Sequence, residues 1–118
     1  MHTVSETHAF RRQAEASGMN EDEIDELIFY LAANPNAGAP IPGTGGCRKL
    51  RVAAGGRGKR GGYRTITFYS GTEMPVFLIA VFAKGERADL TAKERSALGV
   101  ITKAIVTEYK CRVVKARA

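Results

Sequence analysis

Tryptophan is absent from this chain, histidine and cysteine occur twice each, and aromatic residues make up only 8% of the 118 positions. Each scarcity excludes a class of chemistry. His2 and His8 both lie near the start and Cys47 and Cys111 stand apart, so neither a structural zinc site nor a nucleophilic triad can be assembled at ligand or triad spacing. The beginning lacks a charged stretch, an apolar middle and a small-residue cleavage site, which makes free thiols in a reducing cytoplasm the expectation. The longest apolar run, Val76 to Ala83, is too short to span a bilayer, so no membrane partner is expected. A further absence is local: from Gly43 to Arg64 there is no acidic residue.

What fills that stretch is glycine and positive charge, in the order GTGGCRKLRVAAGGRGKRGGYR. Arg48, Lys49, Arg51, Arg57, Lys59, Arg60 and Arg64 give it a strongly positive local field, and the whole chain carries a formal charge of +6. Such a field favours a polyanion. The acids sit elsewhere, with Glu21, Asp22, Glu23, Asp25 and Glu26 in one segment. An apolar content of 44% over this length suits one modest core, so residues 1–118 are expected to form a single domain.

Read in order, the chain suggests a short extended start near Val4 and a helix through Phe10 and Ala14, stopped by Gly18. Asn20 with Glu23 forms a capping box, Met19 and Ile24 a hydrophobic staple, and Ile24, Leu27, Ile28 and Leu31 the buried stripe of a helix running to Asn34. Pro40 to Gly46 reads as a loop. A strand then puts Lys49 and Arg51 on one face and Arg48, Leu50 and Val52 on the other. After the glycine-rich connection Ala54 to Gly62, Tyr63 to Tyr69 is a second strand with Arg64, Ile66 and Phe68 on one face; Val76 to Ala83 is a third, covered on both sides. Thr91 and Glu94 cap a last helix with Leu98, Ile101 and Ile105 as its buried line, and Lys110, Arg112, Lys115 and Arg117 read as a basic tail. The fold class is α+β: an antiparallel-rich meander, with a parallel pairing through the first strand as an option.

Two glycine motifs fail on context. Gly56, Gly58 and Gly61 have dinucleotide-fingerprint spacing but run into a strand instead of opening a helix, and the P-loop pattern lacks its first glycine, with Ala53 in that place.

The blocks IPGTGGCRKLR, GRGKRGGYR, FLIAVFAKGE and LTAKE, with the acidic helix ending ANPNAG, resemble the HigB-type branch of the RelE/ParE superfamily of toxins from type II toxin-antitoxin modules. The resemblance implies a small RelE-like fold and a cytoplasmic, ribosome-dependent mRNA endoribonuclease that inhibits translation without metal or other cofactor. Its implied partners are messenger RNA, the ribosome and a cognate antitoxin of helix-turn-helix type, through which alone it meets operator DNA. Carried over, the catalytic set is Lys49, Arg51, Arg64, Lys84 and Glu86. Arg51 and Arg64 suit phosphate clamps because guanidinium is a planar fork of donors; Lys49 and Lys84 suit acid or base, and Glu86 is an alternative base or an ion-pair partner. Arg48 is scaffold or phosphate periphery, Arg57, Lys59 and Arg60 belong to a loop touching RNA or antitoxin, and Tyr63 and Tyr69 either stack on bases or pack. Gly85 stands where the RelE pattern often has arginine, and Leu90 lies near the place of its late tyrosine. Two other readings therefore stand beside the nuclease: a ParE-like gyrase poison, and an inactive toxin-derived binding module.

Overall fold

The computed structural model describes residues 2–53, 62–71, 74–83 and 90–117, the last eight by backbone alone. Strand β1 (Val4–Glu6) leads into α1 (His8–Ala16) and α2 (Glu21–Ala33). Then come β2 (Ala39–Pro40), β3 (Cys47–Val52), β4 (Tyr63–Phe68), β5 (Val76–Ala83) and α3 (Ala92–Arg117). The helix starts follow from side-chain caps. The Thr7 hydroxyl accepts from Phe10 N–H at 3.2 Å, and Asn20 and Glu23 close a reciprocal box at 2.8 and 2.9 Å. Thr91 and Glu94 repeat that box at 3.1 and 2.9 Å ahead of α3.

The sheet order is β1-β5-β4-β3-β2. β3, β4 and β5 form the expected antiparallel meander, and β1 adds parallel to β5 through Val4 opposite Val76. The two-residue β2 replaces part of the expected loop, pairing Ala39 with Lys49 and Pro40 with Arg48. Proline is tolerated there because an edge strand need not donate on its outer side.

Both sheet faces are covered, by different helices. On one, Phe10 and Ala14 of α1 and Ile24, Leu27 and Leu31 of α2 pack with Tyr63, Val76, Leu78 and Val81. On the other, Leu98 of α3 packs with Ile41, Cys47, Ile66, Phe68 and Ile79, and Ile105 and Val106 lie against that cluster. The buried line of α3 differs from the expected one: Ile101 is 43% exposed and Thr102 is buried. The reason is a polar clasp. Thr102 Oγ1 lies 2.8 Å from the Thr44 carbonyl, which it reaches as donor, while Thr44 Oγ1 donates to the Ile41 carbonyl and accepts from Cys47 N–H. The helix is thus turned by one residue to meet the Gly43–Gly46 loop. A second correction concerns the basic end, which continues α3 to Arg117 instead of fraying. Alanine, lysine, arginine and glutamate favour helix, and cations suit its C-terminal end. Among the described residues, no helix is long and apolar enough to cross a membrane.

Candidate active site

The alternation of β3 and β4 decides which cations meet. Lys49 pairs across the ladder with Ile66, and Arg51 directly with Arg64, so all three side chains leave the sheet on the α3 side. Directly opposed residues have Cβ atoms about 5 Å apart and diagonal ones about 7–8 Å, which places Lys49 diagonal to Arg64 and Arg51 beside it. Like charges in direct opposition weaken a sheet, so this pairing needs a reason other than stability. Lys49, Arg51 and Arg64, with Ala39 and Leu50, line a shallow cavity of about 290 Å³. Lys49 and Arg64 also border a smaller hollow against Ile66, Phe82 and Leu90. Cationic heads thus stand beside an apolar wall, on a sheet covered from behind by α1 and α2. A preorganised site of this kind holds an anion and stabilises further negative charge that develops on it. A larger groove of about 540 Å³ runs between the Gly43–Gly46 loop and α3, but among the described residues Lys103 is the one cation lining it, so the smaller cavity is the better candidate for binding an anion.

Of the residues expected to work together, Lys49, Arg51 and Arg64 do share one cavity. Lys84, Glu86, Arg57, Lys59 and Arg60 lie outside the described residues. Two residues take the scaffold side of the alternatives offered for them. Arg48 projects to the other face, where its Nη1 donates to the Gly38 carbonyl at 3.0 Å, so it ties β3 to the segment before β2. Tyr63 is 7% exposed in the helix-side core, and its hydroxyl reaches Glu23 Oε1 at 3.2 Å and the Gly18 carbonyl at 3.3 Å. A ring so placed cannot stack on a base, and the packing alternative holds. Phe82 was not singled out from the sequence; its position opposite Arg64 follows from the β4–β5 register, which a β-bulge at Ile66/Thr67 shifts. Among the described residues, no group of three or more His, Cys, Asp or Glu side chains could hold a metal ion.

The description "RelE toxin of RelE / RelB toxin-antitoxin system" matches residues 3–116. The chain belongs to the RelE toxin family. Among solved structures it is similar to a double arginine-to-alanine mutant of the E. coli toxin RelE in the free state, with a TM-score of 0.50 and 18% identity, over 86% of this chain and 96% of that one. That likeness supports the fold, and the family makes this chain the toxin of a toxin-antitoxin pair, with a cognate antitoxin as its partner.

In this RelE-family toxin the cavity is held from two sides. On the edge, Gly38 has φ +98°, and a Cβ there would come within 2.6 Å of the Lys49 carbonyl oxygen, so only glycine lets the chain cross β3 at that point. On the helix side, Tyr63 shares the last rung of the ladder with Val52 and Ala83, next to the rung that carries Arg51, Arg64 and Phe82. Its hydroxyl fastens that rung to the end of α1 and the cap of α2. The end of the sheet that carries the cationic cavity is thereby seated on the part of the core that α1 and α2 form.

Proposed function

We propose that this toxin is a HigB-type, ribosome-dependent mRNA endoribonuclease that works without a metal cofactor and so inhibits translation. The observation carrying the proposal is the convergence of Lys49, Arg51 and Arg64 on one shallow, open cavity. RNA brings its own nucleophile. The 2′-hydroxyl loses a proton to a base and attacks the adjacent phosphorus. The P–O5′ bond breaks and the 5′-oxygen takes a proton from an acid, leaving a 2′,3′-cyclic phosphate and a 5′-hydroxyl end. The transition state carries more negative charge than the bound phosphodiester, so fixed cations bind it better than the ground state. In this reading Arg51 and Arg64 clamp the non-bridging oxygens with their forked donors, and Lys49 serves in proton transfer. Lys84 and Glu86, which follow β5 in sequence, supply the complementary proton carrier. Phe82 and Leu90 give the ribose or base an apolar wall beside Arg64.

Induced expression of the wild-type toxin in a bacterial host is expected to arrest growth and cut translated messages. Lys49→Ala and Arg64→Ala should each lower cleavage about a hundredfold or more while the protein stays folded. A double variant that cuts as well as wild type rules out this site. Intact messages accompanied by DNA damage would assign the toxin to gyrase instead, and unaffected growth and RNA would mark an inactive binding module.

A further inference from the structure

The outer surface of α2 has no role in the site just described, and its composition is unusual. Phe29 is 68% and Tyr30 49% exposed, although the same helix buries Ile24, Leu27 and Leu31. Asp25 and Glu26 lie beside these rings on the helix, and Asp22 lies one turn before that pair; all three are exposed. Asp25 and Glu26 lie four and three residues before Phe29, and Glu26 lies four before Tyr30, spacings that make neighbours on a helix surface. Their acidic neighbours on α2 are already engaged, Glu21 by Arg11 and Glu23 by the cap and Tyr63. Asp22, Asp25 and Glu26 form no ion pair among the described residues. The result is two exposed rings with Asp25 and Glu26 at neighbouring positions and Asp22 one turn earlier, on the side of the sheet opposite Lys49, Arg51 and Arg64.

We propose that this face docks a basic protein segment. Resting on the ribosome-dependent reading above, we identify the segment as a basic stretch of a ribosomal protein. Arginine or lysine laid over Phe29 or Tyr30 gains a cation–π contact and a carboxylate at once, and exposed aromatics flanked by charge are the kind of anchor that dominates protein interfaces. The carboxylates repel RNA phosphate, and a second copy of the same face would bring like charges together. Because the two faces point in opposite directions, the toxin can hold RNA with one and ribosomal protein with the other. The charge distribution also fixes which side meets the message.

The test measures binding of the full-length toxin to purified, message-free ribosomes, with a short single-stranded RNA oligonucleotide as the parallel ligand. Phe29→Ala with Tyr30→Ala is expected to weaken ribosome binding roughly tenfold or more and to leave oligonucleotide binding unchanged. Asp25→Lys with Glu26→Lys should also weaken it, because a basic occupant is now repelled. These side chains lie outside the core, so the variants keep the wild-type fold. Ribosome affinity untouched by the aromatic pair overturns the proposal. Affinity that rises on charge reversal overturns it too, and gives the face to ribosomal RNA. Wild-type toxin that binds ribosomes but cuts no message refutes the nuclease reading and leaves the docking face standing; toxin that does not bind ribosomes overturns both.

Discussion

Replacing Tyr63 with phenylalanine separates two accounts of the same residue. The ring is buried and its hydroxyl lies 3.2 Å from Glu23 Oε1 and 3.3 Å from the Gly18 carbonyl. Phenylalanine keeps the packing and removes the one donor, so Glu23 loses a partner in a buried setting and retains Asn20 N–H at 2.9 Å. A buried hydrogen bond to a carboxylate contributes about 1.5–3 kcal/mol, and a loss of ~2 kcal/mol in a domain of this size lowers Tm by roughly 6–12 °C. The assay is thermal and urea unfolding of wild type, Tyr63→Phe, Glu23→Gln and the double variant. If the hydroxyl–carboxylate contact is the cause, the two single losses fall short of adding, with a coupling of at least about 0.5 kcal/mol. A base-stacking Tyr63 predicts the opposite, since phenylalanine stacks as well and stability would not change. A Tm shift under about 2 °C, or strictly additive losses, refutes the clasp between α2 and β4.

Gly38→Ala should cost about 1–3 kcal/mol, because alanine is strained at φ +98° and its Cβ meets the Lys49 backbone; faster amide exchange confined to β2 and β3 would locate the damage. Thr102→Val removes the donor to the Thr44 carbonyl in a buried position and should lower stability by about 1–2 kcal/mol in urea unfolding. Burial pushes the Cys47 thiol above its ordinary value of 9.0, against a smaller pull downward from its hydrogen bond with Thr44. The unfolded thiol therefore ionises at lower pH than the folded one. Its contribution to stability is complete below the ordinary thiol range and is lost as pH rises toward the raised folded value. In reductant, the Tm of wild type should fall more steeply between about pH 8 and pH 10 than that of Cys47→Ala.

Apart from β2 and the last turns of α3, the strands and helices were legible because each is written in local chemistry. The capping boxes at Asn20 and Thr91, the glycine at 18 and the apolar run Val76 to Ala83 set their elements without reference to the rest of the chain. Alternation likewise put Lys49 and Arg51 on one face and Arg64 on a matching one, which is most of the candidate site. What the sequence left open depends on partners far along the chain. The turn of α3 toward Thr102 instead of Ile101 is decided by Thr44, and the burial of Tyr63 by Gly18 and Glu23. Phe82 reached the wall of the site only through a bulged register. None of these leaves a mark in a window of neighbouring residues.

Positions 63 and 64 show how the fold can carry an unfavourable cluster of charge. One residue apart on β4, Tyr63 points into the helix-side core and Arg64 into the cationic cavity. The Arg51–Arg64 opposition costs stability, whereas the Tyr63 clasp, the capped α2 and the buried row Val76, Leu78 and Val81 offset it from the other face of the same strands. Sheet alternation keeps the two demands from competing for the same side chains. It follows that Arg64→Ala should leave stability unchanged or raise it slightly while lowering the proposed cleavage about a hundredfold or more, and that Tyr63→Phe should do its first harm to stability. Opposite responses from adjacent residues are what a charge cluster held by a separate core requires. If Arg64→Ala unfolded the protein, the cation would belong to the scaffold, and the proposed chemistry would lose its central clamp.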